Sequence, residues 1–348
     1  MRDRAFERLS PPWLDVCVQG GPGRLELGLK IDLTVRKFGI PLNWSFTVTE
    51  LESDKKFVDQ QVHGPFAYWR HEHLFEQAGA LSAMNDEIRY SLPLALALDP
   101  LLGPFVEKEL KRVFRYRHEV LQKDMLGFMN NREKPRQRVL IFDSHNQLSD
   151  PLLNFLSTQG HAVETYPHGR IIKDQLKTER ELAAKFSHGE FNALICLSPF
   201  CSSSQWEIDT RRTFLQALAT SKEAGVYVDV HVPHEGKCYL ETWQQYCNLF
   251  NTPVTRCVFA HAGEILTPAF GVLKQQKVWK NEALKWIAVD DFVAAIEYCL
   301  FSPDISGLID LSVPDSALKI TPAKSISQYG YAFRYERLET AIKHVLGV

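Results

Sequence analysis

Between Leu25 and Thr49 the chain alternates apolar and polar residues with a period of two. Leu25, Leu27, Leu29, Ile31, Leu33 and Val35 interleave with Glu26, Gly28, Lys30, Asp32, Thr34 and Arg36. Leu42, Trp44, Phe46 and Val48 interleave with Asn43, Ser45, Thr47 and Thr49. Successive side chains of a strand point to opposite faces, so the pattern predicts two half-buried strands, with Gly39-Ile40-Pro41 as the hairpin between them. Further strands are expected over 56–62, 66–75 and 85–91, bounded by the turn sequences His63-Gly64-Pro65 and Gln77-Ala78-Gly79. Short links between consecutive strands imply an antiparallel sheet. The period then changes. Leu102, Phe105, Val106, Leu110, Val113, Phe114, Arg117, Val120 and Leu121 fall at steps of three and four, which predicts an amphipathic helix of about five turns. A twisted sheet wrapped around one long helix encloses an apolar cavity if its aromatic side chains do not fill the space between them.

The segment Asn131 to Arg138 is polar, contains a proline and has no apolar periodicity, and it marks the domain boundary. The expected organisation is a first domain over 1–130, a linker over 131–137 and a second domain over 138–348. In the second domain Arg138–Asp143 is a short β-rich run, Leu152–Thr158 is helical in pattern and His161–Tyr166 is a second strand, which together make a βαβ opening. Apolar runs at 193–197, 226–230 and 254–259 alternate with helical stretches such as 211–224 and 241–250. Such alternation predicts a doubly wound parallel sheet. The fold class is therefore α+β in the first half and α/β in the second.

Composition narrows the function classes. The chain has 348 residues, and 40 Lys and Arg against 42 Asp and Glu leave a formal charge of -2. Without a basic surplus there is no strong counterion-release contribution to binding a phosphate backbone, so a nucleic-acid partner is not expected. No apolar run reaches the ~18 residues of a membrane span, and the charged start MRDRAFERLSPPW lacks the apolar region of a signal peptide. A cytoplasmic protein without membrane insertion is expected. The seven cysteines form no C-x-x-C pair, which fits reduced thiols better than a disulfide framework or a zinc site.

Several motifs carry a resemblance. The run Arg4–Trp13 (RAFERLSPPW), the block Gly64–Phe75 (GPFAYWRHEHLF), the pair Asp86 with Tyr90-Ser91-Leu92-Pro93, and Phe114–His118 resemble the SRPBCC ligand-binding family. That resemblance implies a START-like helix-grip fold, α+β with an antiparallel sheet around a long C-terminal helix, whose members bind or transform apolar molecules in the cavity between them. One departure is that the family's opening strand should precede Arg4 and does not. The second half is similar to epimerase-like members of the extended short-chain dehydrogenase family, through Gly160-His161-Ala162-Val163, Lys285–Asp291 (KWIAVDD) and the tail Pro322–Leu338. This resemblance implies a Rossmann fold that binds NAD(P), though this chain is shorter between Pro314 and Ile320 than the family's usual form.

A dinucleotide fingerprint needs glycines after the first strand so that backbone N–H groups can approach the pyrophosphate. By alignment, Asp143, Asn146 and Ser149 occupy the three glycine places, and Asp143 adds a carboxylate where a diphosphate would sit. His168 stands where the family often has an arginine, and Ser198-Pro199 replaces a further glycine turn. No tyrosine has a lysine four residues on: Tyr227 is followed by His231, Tyr239 by Trp243 and Tyr246 by Phe250. The expectation is that this half has lost its cofactor and keeps a structural role, or forms an oligomer or protein contact.

In the first half Trp44, Phe46, Trp69 and Tyr90 are the aromatics expected around the cavity, with His71 and His73 as polar groups in its lining. The two histidines share a strand face with Trp69 and Phe75, but a third metal ligand is not evident. His63 lies beyond a turn and Asp86 lies on another strand, so no metal is expected. The leading reading is a non-catalytic holder of an apolar small molecule. The alternatives are an NAD(P)-dependent epimerase or oxidoreductase acting on a bulky substrate, and cyclase or dehydratase chemistry by His71, His73 and Asp86.

Overall fold

A computed structural model describes residues 4–19, 25–37, 40–79, 81–94, 102–143, 148–167, 180–181, 184–198, 218, 225–231, 255–268, 285–314 and 323–348. Two compact units result, residues 1–121 with 347–348, and residues 122–346.

The first unit opens with a single helical turn, α1 (Ala5–Arg8), and continues as a six-stranded antiparallel meander: β1 (Asp15–Gln19), β2 (Lys30–Lys37), β3 (Ile40–Glu52), β4 (Lys56–His63), β5 (Tyr68–Ala78) and β6 (Leu81–Ser91). Strand order follows chain order, with β1 and β6 at the edges. The alternation read from the sequence holds where it matters most: along β5, Trp69, His71 and His73 are buried while the residues between them are less so. Two details differ from the sequence pattern. β1, with only five residues (DVCVQ), has too short an alternation to stand out, and it is fixed by pairing with β2 from Asp15↔Arg36 to Gln19↔Asp32. β2 begins at Lys30 rather than Leu25, because Gly28 takes φ 83 and donates its N–H to the carbonyl of Val48, closing the sheet end as a turn.

Helix α2 (Leu102–Asn130) follows and has 29 residues, about eight turns rather than five. Its apolar stripe Phe105, Val106, Leu110, Val113 and Phe114 faces the sheet. The periodicity past Leu121 is hard to read because Met125, Leu126 and Met129 are exposed apolar residues that blur the stripe.

The second unit holds a seven-stranded parallel sheet made of β7 (Arg138–Asp143), β8 (Ala162–Pro167), β9 (Ala193–Ser198), β10 (Gly225–His231), β11 (Thr255–His261), β14 (Gly307–Asp310) and β15 (Lys324–Ser325), in the order β15-β14-β11-β10-β9-β7-β8. A separate pair, β12 (Glu264–Leu266) and β13 (Trp286–Ala288), stands apart from it. The described helices are α3 (Ser149–Thr158), α4 (Val289–Phe301) and α5 (Leu338–Leu346). The strands read as continuous apolar runs because both sheet faces are covered, and Val139, Ile141, Ile195, Val228 and Val258 are fully buried. This is the Rossmann-like arrangement, with β7 flanked by β8 and β9 at the point where strand order reverses. The expected helices 211–224 and 241–250 lie outside the described residues, save Leu218.

The sequence signal Lys285–Asp291 and the described part of the tail signal, 323–338, meet in one buried hub. Asp291, in the first turn of α4, accepts hydrogen bonds from Arg334 N (2.7 Å), Tyr335 N (3.0 Å) and Tyr331 Oη (3.0 Å). Its neighbour Asp290 lies 2.7 Å from His344 Nε2 of α5, whose ring stacks on Tyr335. Two adjacent acids at a helix N-terminus thereby fasten the C-terminal tail.

Candidate functional site

A cavity of about 350 Å³ lies between sheet and helix in the first unit, within the range of small-molecule sites, ~300 to 1,000 Å³. The aromatics therefore surround a space rather than fill it. Trp44, Phe46, Trp69, His71 and His73 line it, joined by Phe6 of α1 and by the apolar stripe of α2. Tyr90 stands behind the lining and packs edge-on to Phe66, 5.4 Å between ring centroids. The GPFAYW motif explains itself here. A side chain at Gly64 would place Cβ 2.4 Å from both Trp44 Cδ1 and Gln61 Oε1, and Gln61 is itself held by its hydrogen bond to the carbonyl of Phe66 (2.7 Å). Gly64→Ala is expected to drive Trp44 off its rotamer and to lower the stability of the first unit by about 1–3 kcal/mol, readable as earlier loss of near-UV aromatic dichroism on heating.

The cavity wall is apolar but not featureless. The indole N–H groups of Trp44 and Trp69 are buried without a hydrogen-bond partner. Arg117 reaches the lining from α2, its guanidinium 5.6 Å from the ring of Phe6 and 5.4 Å from that of Phe114. Among the described residues no carboxylate lies within ion-pair distance of Arg117. Burial lowers its pKa, against the opposing charges of Asp86 and Asp59.

At one end of the lining, strand register builds a cluster that spacing along the chain could not show. Asp59 on β4 is the cross-strand partner of His71 on β5, and Asp86 on β6 is the partner of His73. Each carboxylate is thus opposite one histidine and diagonal to the other, on the same sheet face. Asp59 Oδ2 lies 3.4 Å from His71 Nδ1 and 3.1 Å from His73 Nε2. Asp86 Oδ1 lies 3.2 Å from His71 Nε2 and 2.8 Å from His73 Nδ1, and its other oxygen is 2.6 Å from His118 Nε2 of α2. The two imidazoles are 3.8 Å apart by centroid, and Phe57 stacks on His73 at 3.9 Å. That Asp86 sits on another strand does not keep it from the histidines, because neighbouring strands bring opposite residues within a few ångströms. Asp59 belongs to no motif in the sequence, although a register count across the β4–β5 turn finds it.

Burial, the largest single influence on Asp59, pushes its carboxyl up, but the contacts with His71 and His73 together outweigh it and hold the group down at about 2. Asp86 is held well below the usual carboxylate range for the same reasons, with His118 added. His71 is pushed down by its burial and more than restored by the two carboxylates, so its pKa is raised.

In the second unit the positions expected at a dinucleotide site fall at the C-terminal edge of the sheet. Asp143 ends β7 and pairs with Leu197, and Ser198 ends β9 beside it, at the topological switch point. Ser149 is the first residue of α3 and is buried. Asn146 and His168 lie outside the described residues, as do Cys201, Ser202–Ser204 and Arg211-Arg212. The same edge carries His231, His261 and Asp310 at the ends of β10, β11 and β14, each paired in register with the next, and Lys285 is ion-paired to Asp310. His231 follows Tyr227 at four places, where a lysine would be needed, and Tyr227 bonds instead to Asp229 (2.7 Å).

The fold and the cavity define a class of two units, a helix-grip-like antiparallel sheet with one long helix followed by a Rossmann-like parallel sheet. Residues 4–115 match the family model described as polyketide cyclase / dehydrase and lipid transport. The whole chain is similar in fold to a nucleoside-diphosphate sugar epimerase from Corynebacterium glutamicum, with 16% identity, a TM-score of 0.72, 99% of this chain covered and 86% of that one. A GDP-mannoheptose C4 reductase from Campylobacter jejuni, solved with NADP bound, aligns with 61% of this chain and 98% of its own, at 9% identity and a TM-score of 0.39. No curated protein sequence matches the chain. Among the described residues no helix is long and apolar enough to cross a membrane.

Proposed function

We propose that the first domain binds an apolar small molecule bearing an oxygenated or acidic end. The observation that carries this reading is the cavity of about 350 Å³, apolar over most of its wall, with Arg117 in the lining and, among the described residues, no carboxylate within ion-pair distance of its guanidinium. An oxygenated or acidic end gives that guanidinium a hydrogen-bonded charge partner that the apolar wall does not supply. The description of the matching family model, which joins cyclisation, dehydration and lipid transport, supports the same ligand class.

The second domain is read as a Rossmann-shaped scaffold without its cofactor, because the sequence from Asp143 to Ser149 offers no glycine to a pyrophosphate. It would then serve as a structural element or as a surface for oligomer or protein contact. A second reading is favoured by the His–Asp cluster in the lining, which places proton donors and acceptors against a bound molecule and suits cyclase or dehydratase chemistry.

The test uses the full chain and two fluorescent probes, neutral N-phenyl-1-naphthylamine and a naphthyl fatty acid. Both are expected to quench tryptophan emission with micromolar affinity, and Arg117→Met is expected to weaken the acid at least tenfold while sparing the neutral probe. Failure of the protein to take up either probe removes the reading. Calorimetry with millimolar NADP and NAD addresses the second domain, where a clear binding signal would restore the epimerase or oxidoreductase alternative.

A further inference from the structure

The His–Asp cluster contains more acceptor positions than its hydrogens can satisfy. All four ring nitrogens of His71 and His73 face carboxylate oxygens, at 2.8 to 3.4 Å. Two neutral imidazoles carry only two N–H groups between them. Two of the four contacts are then lone pair against carboxylate, unless both rings are cations with centroids 3.8 Å apart. The mismatch shows in the geometry. His71 is 5% exposed, and its Nε2 and the facing Asp86 Oδ1 are both buried without a hydrogen-bond partner.

We infer that Asp59, His71 and His73 form a binding site for a divalent first-row transition metal, open toward the cavity. One nitrogen of each ring and one oxygen of Asp59 lie within 4.8 Å of one another. At metal–ligand bonds of ~2.1 Å, adjacent ligand atoms stand about 3.0 Å apart in octahedral and about 3.4 Å apart in tetrahedral coordination. Asp59 Oδ2 is 3.1 Å from His73 Nε2 and 3.4 Å from His71 Nδ1, which matches that spacing, and the two ring nitrogens, within 4.8 Å of each other, close up around the ion. The ion takes the lone pairs of the two nitrogens that face Asp59, and each ring keeps its N–H on the other nitrogen, facing Asp86. A carboxylate behind metal-bound histidines fixes their tautomer and orientation, and Asp86 is in turn held by His118 at 2.6 Å. Two nitrogens and one carboxylate oxygen suit Zn²⁺, Co²⁺, Mn²⁺ or Fe²⁺. Asp59, His71 and His73 all line the cavity, so the remaining coordination positions face whatever occupies it, and a carbonyl or carboxylate oxygen is the natural occupant.

The metal can be tested without any organic ligand, so its failure is separable from failure of the probe experiment. Untagged full-length protein, stripped with a chelator and dialysed, is titrated with Zn²⁺ by calorimetry and with Co²⁺ by visible absorption. One equivalent per chain is expected, bound with micromolar affinity or better, with the Co²⁺ spectrum of a nitrogen and oxygen site. Asp86→Asn is expected to weaken binding roughly 10- to 100-fold, and the double variant His71→Ala with His73→Ala to abolish it. Since removing buried groups can unfold the domain, the unaltered protein provides a second measurement. Electron spin-echo modulation of one bound Cu²⁺ should show two coordinated imidazoles. Absence of stoichiometric uptake, undiminished uptake by the double variant, or fewer than two imidazoles would each overturn the inference.

Discussion

Asp291→Ala is expected to cost the second unit about 2–5 kcal/mol near pH 5, on the scale of leaving buried hydrogen-bond donors without their acceptor. The carboxylate is fully buried and accepts from two backbone N–H groups, of Arg334 and Tyr335, and from the hydroxyl of Tyr331. Alanine leaves both N–H groups without that acceptor in a place water does not reach. A domain's whole stability is only ~5 to 15 kcal/mol, so the tail from Tyr331 onward should detach or melt early. Burial, opposed by those same hydrogen bonds, raises the pKa of Asp291 to about 6. A raised carboxyl contributes stability below its unfolded value, and the contribution is lost as pH rises through about 6. The gap between the variant and the parent protein should therefore narrow by on the order of 2 kcal/mol between pH 4 and pH 7. Hydrogen exchange resolves the two units separately, and peptides from 286–301 and 331–346 should lose protection while those from β2 to β6 keep theirs. Unchanged protection in the variant would remove Asp291 as the fastening point.

Trp69→Arg should abolish uptake of both probes. Trp69 is 4% exposed and packs at 5.0 Å from Trp44, 4.9 Å from Phe66 and 6.3 Å from Tyr90, centroid to centroid. Loss of an indole from such a cluster costs about 3–5 kcal/mol by itself. A guanidinium in its place adds the penalty of an unpaired buried charge and occupies the space a ligand needs. Trp69→Phe serves as the companion variant. It keeps the aromatic packing, and it should fold and still take up both probes. If Trp69→Arg folds and still takes up probe as the parent does, the binding site is elsewhere.

The stretches that could be read without the fold were those in which one residue's environment repeats at a fixed interval. The β5 pattern Trp69, His71, His73 and the α2 stripe from Phe105 to Phe114 each name their own buried face, because burial on one side of a strand or helix leaves a period in the chain. β1 escaped because five residues on a sheet edge carry too short a pattern, and α2 was read three turns short because exposed Met125, Leu126 and Met129 mimic no single face. His71 and His73 were legible as a pair, with Asp86 as a candidate beside them, and Asp59 was not, because nothing in its own stretch of chain sets it apart.

The sequence by itself determined the two architectures, since periodicity and turn chemistry are local properties of the chain. Only the tertiary structure decided that the aromatics leave a space of about 350 Å³, that Asp59 and Asp86 bracket the histidines, and that Asp291 fastens the tail. Each of these depends on distances between residues far apart in the chain. Strand register and packing set such distances, and no interval along the sequence encodes them.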